Sequence, residues 1–348
     1  MNLFELTCNQ FTERFRKQYG KGACHAESLY RSFYADVGFD PASLPCFAAS
    51  PQSRQAVVTQ FSHRVPEVID RQSRDGVTKL ALALSDGRVV ETVVIPMANH
   101  ATVCVSSQVG CRMGCRFCET GGMGLIRNLT AAEIVAQVFM VKVVLGIVAR
   151  NVVFMGMGEP LDNFDAVVQA IRVLEDQRGL NIAKRRITLS TAGLVEGIRS
   201  LAALDWPHLK LAVSLNAADD VVRRSLMPVA GRHTMAALKQ ELQTFPMARG
   251  NVLLMEYVLI KGVNDDPAHA ARLALFLKEL PPVRLNLIPC NPRSSASYAP
   301  PSATDMDRFH QRLINDGIFV RMRKSKGADI QGACGQLGGR QAKGVGKR

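Results

Sequence analysis

Six short β-rich runs alternate with helical patterns across the last two thirds of this chain, at residues 103–109, 152–155, 187–191, 209–215, 252–259 and 283–288. Parallel strands need a crossover of a dozen residues or more, and a helix is the usual one. The intervening segments carry helix signals. Thr130 and Glu133 form a capping box ahead of a helix over 131–145. Phe164, Val167, Val168, Ile171 and Leu174 make an apolar stripe at helical spacing. Pro267 follows Asp266 at a first helical position, and Gly317 closes a helix that begins near Ala303. The alternation predicts an α/β fold, either a six-unit partial (βα) barrel or an open doubly wound sheet. Both put the functional site at the carboxyl ends of the strands.

The flanks differ in texture. Residues 1–60 read as a small helical domain and a candidate nucleic-acid contact, with Phe11, Phe15 and Tyr19 at helical spacing and a second helix over 26–34. Residues 61–100 read as an antiparallel β extension, with strands at 78–84 and 89–95 around an Asp86-Gly87 turn. Residues 101–325 hold the β/α repeats, and residues 326–348, rich in Gly and basic side chains, read as a mobile loop and tail. A chain of 348 residues, 47% hydrophobic and 21% charged, buries a core without staples, which excludes disorder and collagen-like repeats as its main class.

Charge narrows the partner. Lys and Arg number 43 against 30 acidic residues, a net +13 that favours a polyanion, nucleic acid ahead of an anionic membrane. Residues 1–100 hold 11 basic and 10 acidic residues, so +12 of the excess (32 basic less 20 acidic) lies beyond them. It is densest over 319–348, where Arg321, Arg323, Lys324, Lys326, Arg340, Lys343, Lys347 and Arg348 face only Asp329. Lys184-Arg185-Arg186 forms another basic cluster. Aromatics are only 6%, so nucleic-acid recognition through phosphates and shape is expected over base stacking. Glu5 and Glu13 precede any long apolar run, and the stretch 134–149 is broken by Gln137 and Lys142. Neither a secretory leader nor a membrane span is expected, which points to the cytoplasm, where thiols stay reduced.

Clustered cysteines in that setting indicate metal or redox chemistry. Cys111, Cys115 and Cys118 form a C-x3-C-x2-C loop directly after the first β run. Three thiolates on one loop suit an iron–sulfur cube with one iron left open. A zinc site with Cys104 as fourth ligand is the alternative, and it would make the chain a zinc-stabilised RNA-binding module without catalysis. Gly158-Glu159 follows a strand, a placement suited to a substrate ammonium group approaching the backbone. A dinucleotide fingerprint built on Gly156 and Gly158 fails at Leu161, where its third glycine belongs.

The C-x3-C-x2-C loop after the first strand of a β/α repeat resembles the radical S-adenosylmethionine (SAM) superfamily. The ordered runs CVSSQVGCRMGCRFCETG, NVVFMGMGEPLDN, RITLSTAG, LAVSLNA, EYVLIKGVND, LIPCNP and GACGQL resemble, more narrowly, the RlmN/Cfr family of radical SAM RNA adenine methyltransferases. The resemblance implies a partial barrel of the radical SAM type, with a 4Fe-4S cluster on Cys111, Cys115 and Cys118. It implies SAM contacts at Gly158, Glu159, Ser190, Ser214, Leu215, Asn216 and Asn291. Cys334 would carry a methyl group from a first SAM, and a second SAM would supply the radical that activates it. Cys104 would then release the product by a disulfide with Cys334, and Glu91 would accept a proton from the crosslinked base. The implied substrate is an adenosine of 23S ribosomal RNA, with transfer RNA as a further candidate, methylated at ring carbon 2 in preference to carbon 8. The base would leave its stack to react. A flavodoxin-type electron donor and a monomeric protein complete the implied picture. The sequence departs from the family pattern at Glu119, Asn216 and Cys290 and in the stretch Arg323–Gly327. A radical SAM enzyme with another RNA substrate is the remaining alternative.

Overall fold

The structure, a computed structural model, describes residues 2–20, 22–36, 40, 43–48, 65–293, 298–323 and 325–338. Of the loop and tail expected over 326–348, residues 339–348 lie outside the described residues, as does the boundary expected at residue 60.

The chain opens with helices α1 (Cys8–Tyr19) and α2 (Ala23–Ala35). Thr7 caps α1 with Gln10 in a reciprocal box, and Gly20 ends it in the left-handed region at φ 63°. Their apolar faces do not form a separate core. Phe4 and Phe33 pack on Phe139, the last residue of helix α3 (Ala131–Phe139), with ring centroids 5.0 and 5.4 Å away. The helical unit is therefore fastened to the barrel.

One ten-stranded sheet organises the rest, in the order β1-β2-β3-β4-β7-β8-β9-β10-β11-β12. Strands β1 (Glu67–Arg74), β2 (Val77–Ala83), β3 (Val89–Pro96) and β4 (Ala101–Cys104) are antiparallel neighbours. From β4 the pairing turns parallel through β7 (Ala149–Phe154), β8 (Ile187–Thr191), β9 (Lys210–Ser214), β10 (Leu253–Leu259), β11 (Val283–Pro289) and β12 (Val320–Met322). The crossover helices cover this parallel part, the partial barrel. They include α3, which continues as a π-helix over Met140–Val144, α4 (Phe164–Glu175), α5 (Val195–Ala202), α6 (Asp220–Leu226), α7 (Met235–Gln243), α8 (Pro267–Lys278) and α9 (Ala303–Asn315). Buried Val152, Leu189, Val213, Met255 and Leu287 carry the core from strand to strand.

Three elements were not apparent in the sequence. The run 103–109 divides: β4 stops at Cys104, and β5 (Gln108–Cys111) pairs with β6 (Gly124–Asn128) in a separate hairpin. Gly110 makes that hairpin possible, because at φ +77° a Cβ would stand 1.9 Å from the carbonyl oxygen of Gly124. β1 is a largely polar edge strand, and β12 is three residues long, so neither shows a strong apolar pattern.

After β12 the chain returns across the open side of the sheet toward β1. A single turn, Ala328–Ile330, rests on β1, where Arg74 Nε meets Asp329 Oδ2 at 3.2 Å. Among the described residues no helix is long and apolar enough to cross a membrane.

Candidate active site

The carboxyl ends of the parallel strands enclose a cavity lined by Cys111, Cys115, Cys118 and Cys334. Cys111 ends β5. The following loop is tied to α6 by the Arg116 N–H donating to the carbonyl of Leu226 at 2.9 Å. Gly114 turns it at φ +69°, and the Cys118 N–H closes it on the carbonyl of Cys115 at 3.1 Å. Burial pushes the Cys111 thiol up to about 12, with Glu159 and Cys118 adding to the effect after burial. Burial likewise raises Cys115 and Cys118. Uncharged, partly desolvated thiols are sites that a metal can ionise by displacing the proton. Among the described residues no three His, Cys, Asp or Glu side chains gather round one point closely enough for a single metal ion. An iron–sulfur cube makes a different demand, since each thiolate takes its own iron at a separate corner. The donor set fits that group. It does not fit zinc with Cys104, which stands beside Cys334 and Arg323.

Opposite the cysteine loop the backbone runs Gly156-Met157-Gly158-Glu159. A Cβ on Gly158, at φ +101°, would come within 2.6 Å of the Cβ of Gln108, and one on Gly156 within 2.6 Å of the carbonyl oxygen of Val105. Glycine is required at both. Glu159 is 3% exposed, with Oε2 accepting from the Ala192 N–H at 2.7 Å and Oε1 from the Leu161 N–H at 3.1 Å. Burial outweighs these bonds and pushes its carboxyl up to about 7. No cation pairs with it among the described residues, so a ligand ammonium would restore its full ionisation.

Ser190, Ser214, Asn216 and Asn291 all line the same cavity. Asn216 takes the left-handed conformation at φ 59°, and its Oδ1 accepts from the Val258 N–H at 2.8 Å. Leu215 does not line the cavity. It is fully buried, and its backbone bonds Glu256 and Arg223.

Arg223 is a residue that sequence reasoning missed. Only 1% exposed, it donates to the carbonyls of Ala192 at 2.7 Å, Leu215 at 3.1 Å and Ser214 at 3.5 Å. It thereby fixes the ends of β8 and β9 around the cavity, and desolvation lowers its pKa to about 10. Glu256 was also missed. It faces the cavity from β10 and holds Asn286 Nδ2 at 2.8 Å and Arg323 Nη1 at 3.3 Å. Arg323 in turn stands near both Cys334 and Cys104.

The segment carrying Cys334 was expected to be a mobile loop. Over 331–338 it is stitched down. Lys79 Nζ donates to the carbonyl of Gln331 at 3.3 Å, Asn291 Nδ2 to that of Cys334 at 3.0 Å, and the Glu119 N–H to that of Gly335 at 2.7 Å. Thr120 Oγ1 donates to the carbonyl of Leu337 at 2.6 Å, and the Gly338 N–H donates to Glu91 Oε2 at 2.6 Å. Cys334 keeps accessible surface because it faces the open cavity, yet the protein around it is close enough for desolvation to raise its thiol. Cys104, at the end of β4, is buried behind the cavity and pushed up to about 12, by burial first and by Cys334 second. Both are free thiols here, and among the described residues no disulfide is present. Glu91 belongs to an interior strand, β3, and does not line the cavity. Its Oε1 pairs with Lys79 Nζ at 3.0 Å, with both side chains buried.

An open-cornered cysteine loop at the strand ends of a partial βα barrel defines the radical SAM class, and residues 105–274 match the Radical SAM superfamily. A probable dual-specificity RNA methyltransferase, RlmN 1 of Protochlamydia amoebophila (strain UWE25), is 39% identical over 346 residues, 99% of this chain and 95% of that one. The dual-specificity RNA methyltransferase RlmN of Geobacter sulfurreducens is 40% identical over 328 residues, 94% and 89% of the two chains. The crystal structure of a radical SAM methyltransferase from Sphaerobacter thermophilus matches with a TM-score of 0.88 and 38% identity, covering 97% of this chain and 99% of that one. The chain belongs to the RlmN family: it is a radical SAM RNA methyltransferase, with a 4Fe-4S cluster and SAM as its cofactors.

Proposed function

We propose that the enzyme methylates an sp2 ring carbon of an adenosine in 23S ribosomal RNA, carbon 2 in preference to carbon 8, through an S-methyl group carried on Cys334. The observation that carries this reading is the meeting of Cys334 with Cys111, Cys115 and Cys118 on one cavity. Bound there, the cluster and SAM supply one-electron chemistry that removes a hydrogen atom from an unactivated methyl group.

The protein's own groups divide the remaining work. Glu159, beside Gly158, takes the SAM ammonium, while Ser190, Ser214, Asn216 and Asn291 orient the rest of the molecule and Leu215 supports them from behind. Cys334 presents the methyl group, its carbonyl held by Asn291. Once its carbon is bonded to the base, and the adduct has lost the ring proton and one electron (equal to the one spent in cleaving SAM), Cys104 attacks the sulfur of Cys334. The S–C bond breaks as the S–S bond forms, and the released carbon takes a proton. Two SAM molecules are used per product, one for the methyl and one for the radical. Glu91 removes the ring proton after Gly338 releases its carboxylate. Relatives are named dual-specificity RNA methyltransferases, and in this reading transfer RNA is the second substrate. A flavodoxin-type donor, a cytoplasmic location and a monomer accompany this reading.

The test is Cys334→Ala in the reconstituted holoenzyme. SAM cleavage at the cluster should persist while methyl transfer to RNA disappears, and normal RNA methylation by this variant would sink the proposal. Mass spectrometry of RNA digests then identifies the methylated carbon.

A further inference from the structure

The strand ends opposite the cavity carry their own pattern. Arg150 is the second residue of β7, Arg186 immediately precedes β8, Lys210 opens β9, and Arg284 and Arg321 are the second residues of β11 and β12. These strands are consecutive in the sheet apart from β10. Neighbouring strands lie ~4.8 Å apart, so the cations form an arc rather than one pocket. Arg186 and Arg284 both reach Lys210, and after burial their charges help lower its pKa.

Between the starts of β7 and β8 the arc deepens into a cavity of about 520 Å³ lined by Lys142, Arg150, Arg185 and Arg186, with no acidic side chain in its wall. Lys142 donates to the carbonyl of Leu180, and neighbouring Lys184 is occupied by Glu175. Among the described residues, Arg150, Arg185, Arg186, Lys210 and Arg321 enter no ion pair. Gathering like charges without counter-ions is unfavourable in itself and favours a polyanionic partner.

Aromatic rings lie among these cations. Phe319, just before β12, is 55% exposed, with the guanidinium carbons of Arg284 and Arg321 at 5.3 and 5.6 Å from its centroid. Trp206, in the turn before β9, has Lys184 Nζ at 4.8 Å and Arg172 at 5.9 Å. An exposed ring flanked by guanidinium groups is a platform on which an unpaired base stacks.

We propose that this amino-terminal rim of the barrel is a second RNA-binding surface, which grips the phosphate backbone of the substrate at a distance from the base being methylated. A linear array of cations suits a linear array of phosphates better than a small anion, and Phe319 adds a contact that only a nucleic acid base uses fully. The inference rests on RNA being the substrate and is independent of which base or ring carbon reacts. Because binding is read without turnover, its failure is distinguishable from failure of the Cys334 chemistry.

The holoenzyme and a R150S/R185S/R186S variant are titrated with purified 23S ribosomal RNA over a range of salt concentrations. The slope of log affinity against log salt should fall by about 2 to 3, roughly one for each lost phosphate contact. The lysine variant R150K/R185K/R186K should restore the slope, and thermal unfolding should show all three proteins folded. Phe319→Ala should weaken binding severalfold with little change of slope. With RNA as substrate the serine variant should raise KM about tenfold or more and leave kcat and SAM cleavage unchanged. An unchanged slope and KM in the folded serine variant would overturn the proposal. So would unchanged RNA binding in a variant that had lost affinity for an acidic protein.

Discussion

Glu159 joins two demands in one carboxyl group. Buried and without a cation, it titrates at about 7 instead of 4.5. In the proposed reading its partner is the SAM ammonium, which needs the ionised form. The sign follows from linkage: a raised carboxyl makes the ligand-free protein less stable as pH rises from 4.5 toward about 7. SAM binding removes that penalty, so its affinity should weaken as pH falls below about 7, approaching tenfold per pH unit. Calorimetric titration of the holoenzyme with SAM at several pH values checks this. Glu159→Gln should bind more weakly throughout and lose the slope, and a slope that survives the substitution would assign the titration to another group.

Among single residues, local signals were legible and convergent ones were not. Thr130 and Glu133 exchange their bonds at 3.2 and 2.9 Å as the capping box requires, and Asp266 accepts from the His269 N–H at 2.8 Å. Each of those bonds spans three residues. Arg223 shows nothing comparable in its neighbourhood, because the carbonyls it holds come from the ends of two strands 8 to 31 residues away. Lys79 is similar, its partners being Glu91 on the adjacent strand and Gln331, 252 residues on.

At the scale of elements, that same Lys79 explains how the Cys334 segment is held. The ion pair Lys79–Glu91 bonds the carbonyl of Gln331 on one flank and the N–H of Gly338 on the other. One buried pair on β2 and β3 thus brackets the reactive thiol. Lys79→Met keeps the length of the side chain, removes the bond to Gln331 and leaves Glu91 a buried charge without its cation. Losing one partner of such a pair costs about 3–5 kcal/mol. The expected result is faster hydrogen exchange over 331–338 and faster alkylation of Cys334, with cluster content retained. Exchange confined to other segments would show that the pair does not hold the loop. The sequence placed Cys334 between glycines and suggested freedom. Gly335, at φ +83°, instead makes a fixed turn whose carbonyl accepts from Glu119. The β5–β6 hairpin was hidden for a related reason: the close approach of Gly110 to Gly124 is a distance, and a run of apolar residues does not encode it.

At the scale of the whole molecule, five of the six β runs became parallel strands because helices separate them, and the sixth divided between β4 and the β5–β6 hairpin. The helical start of the chain was legible as helices but not as part of the same core. Phe4, Phe33 and Phe139 are each at most 4% exposed, and the Phe33 and Phe139 rings stack at 13°. Removing residues 1–36 should therefore expose Phe139 at the end of α3 and lower the unfolding temperature by several degrees at least, with loss of solubility. An unchanged melting curve for the shortened protein would mean that the barrel core closes without these helices.

The closing segment also has a consequence for manufacture. Cys111, Cys115 and Cys118 are synthesised more than two hundred residues before Cys334, which arrives with the strap that crosses the open side of the sheet. On a growing chain the three cluster thiols therefore exist before the strap that later hems them in. The order of translation thus leaves a delivery route for iron and sulfide, and the strap then narrows it. Cluster insertion should be fastest on nascent or strap-loosened protein.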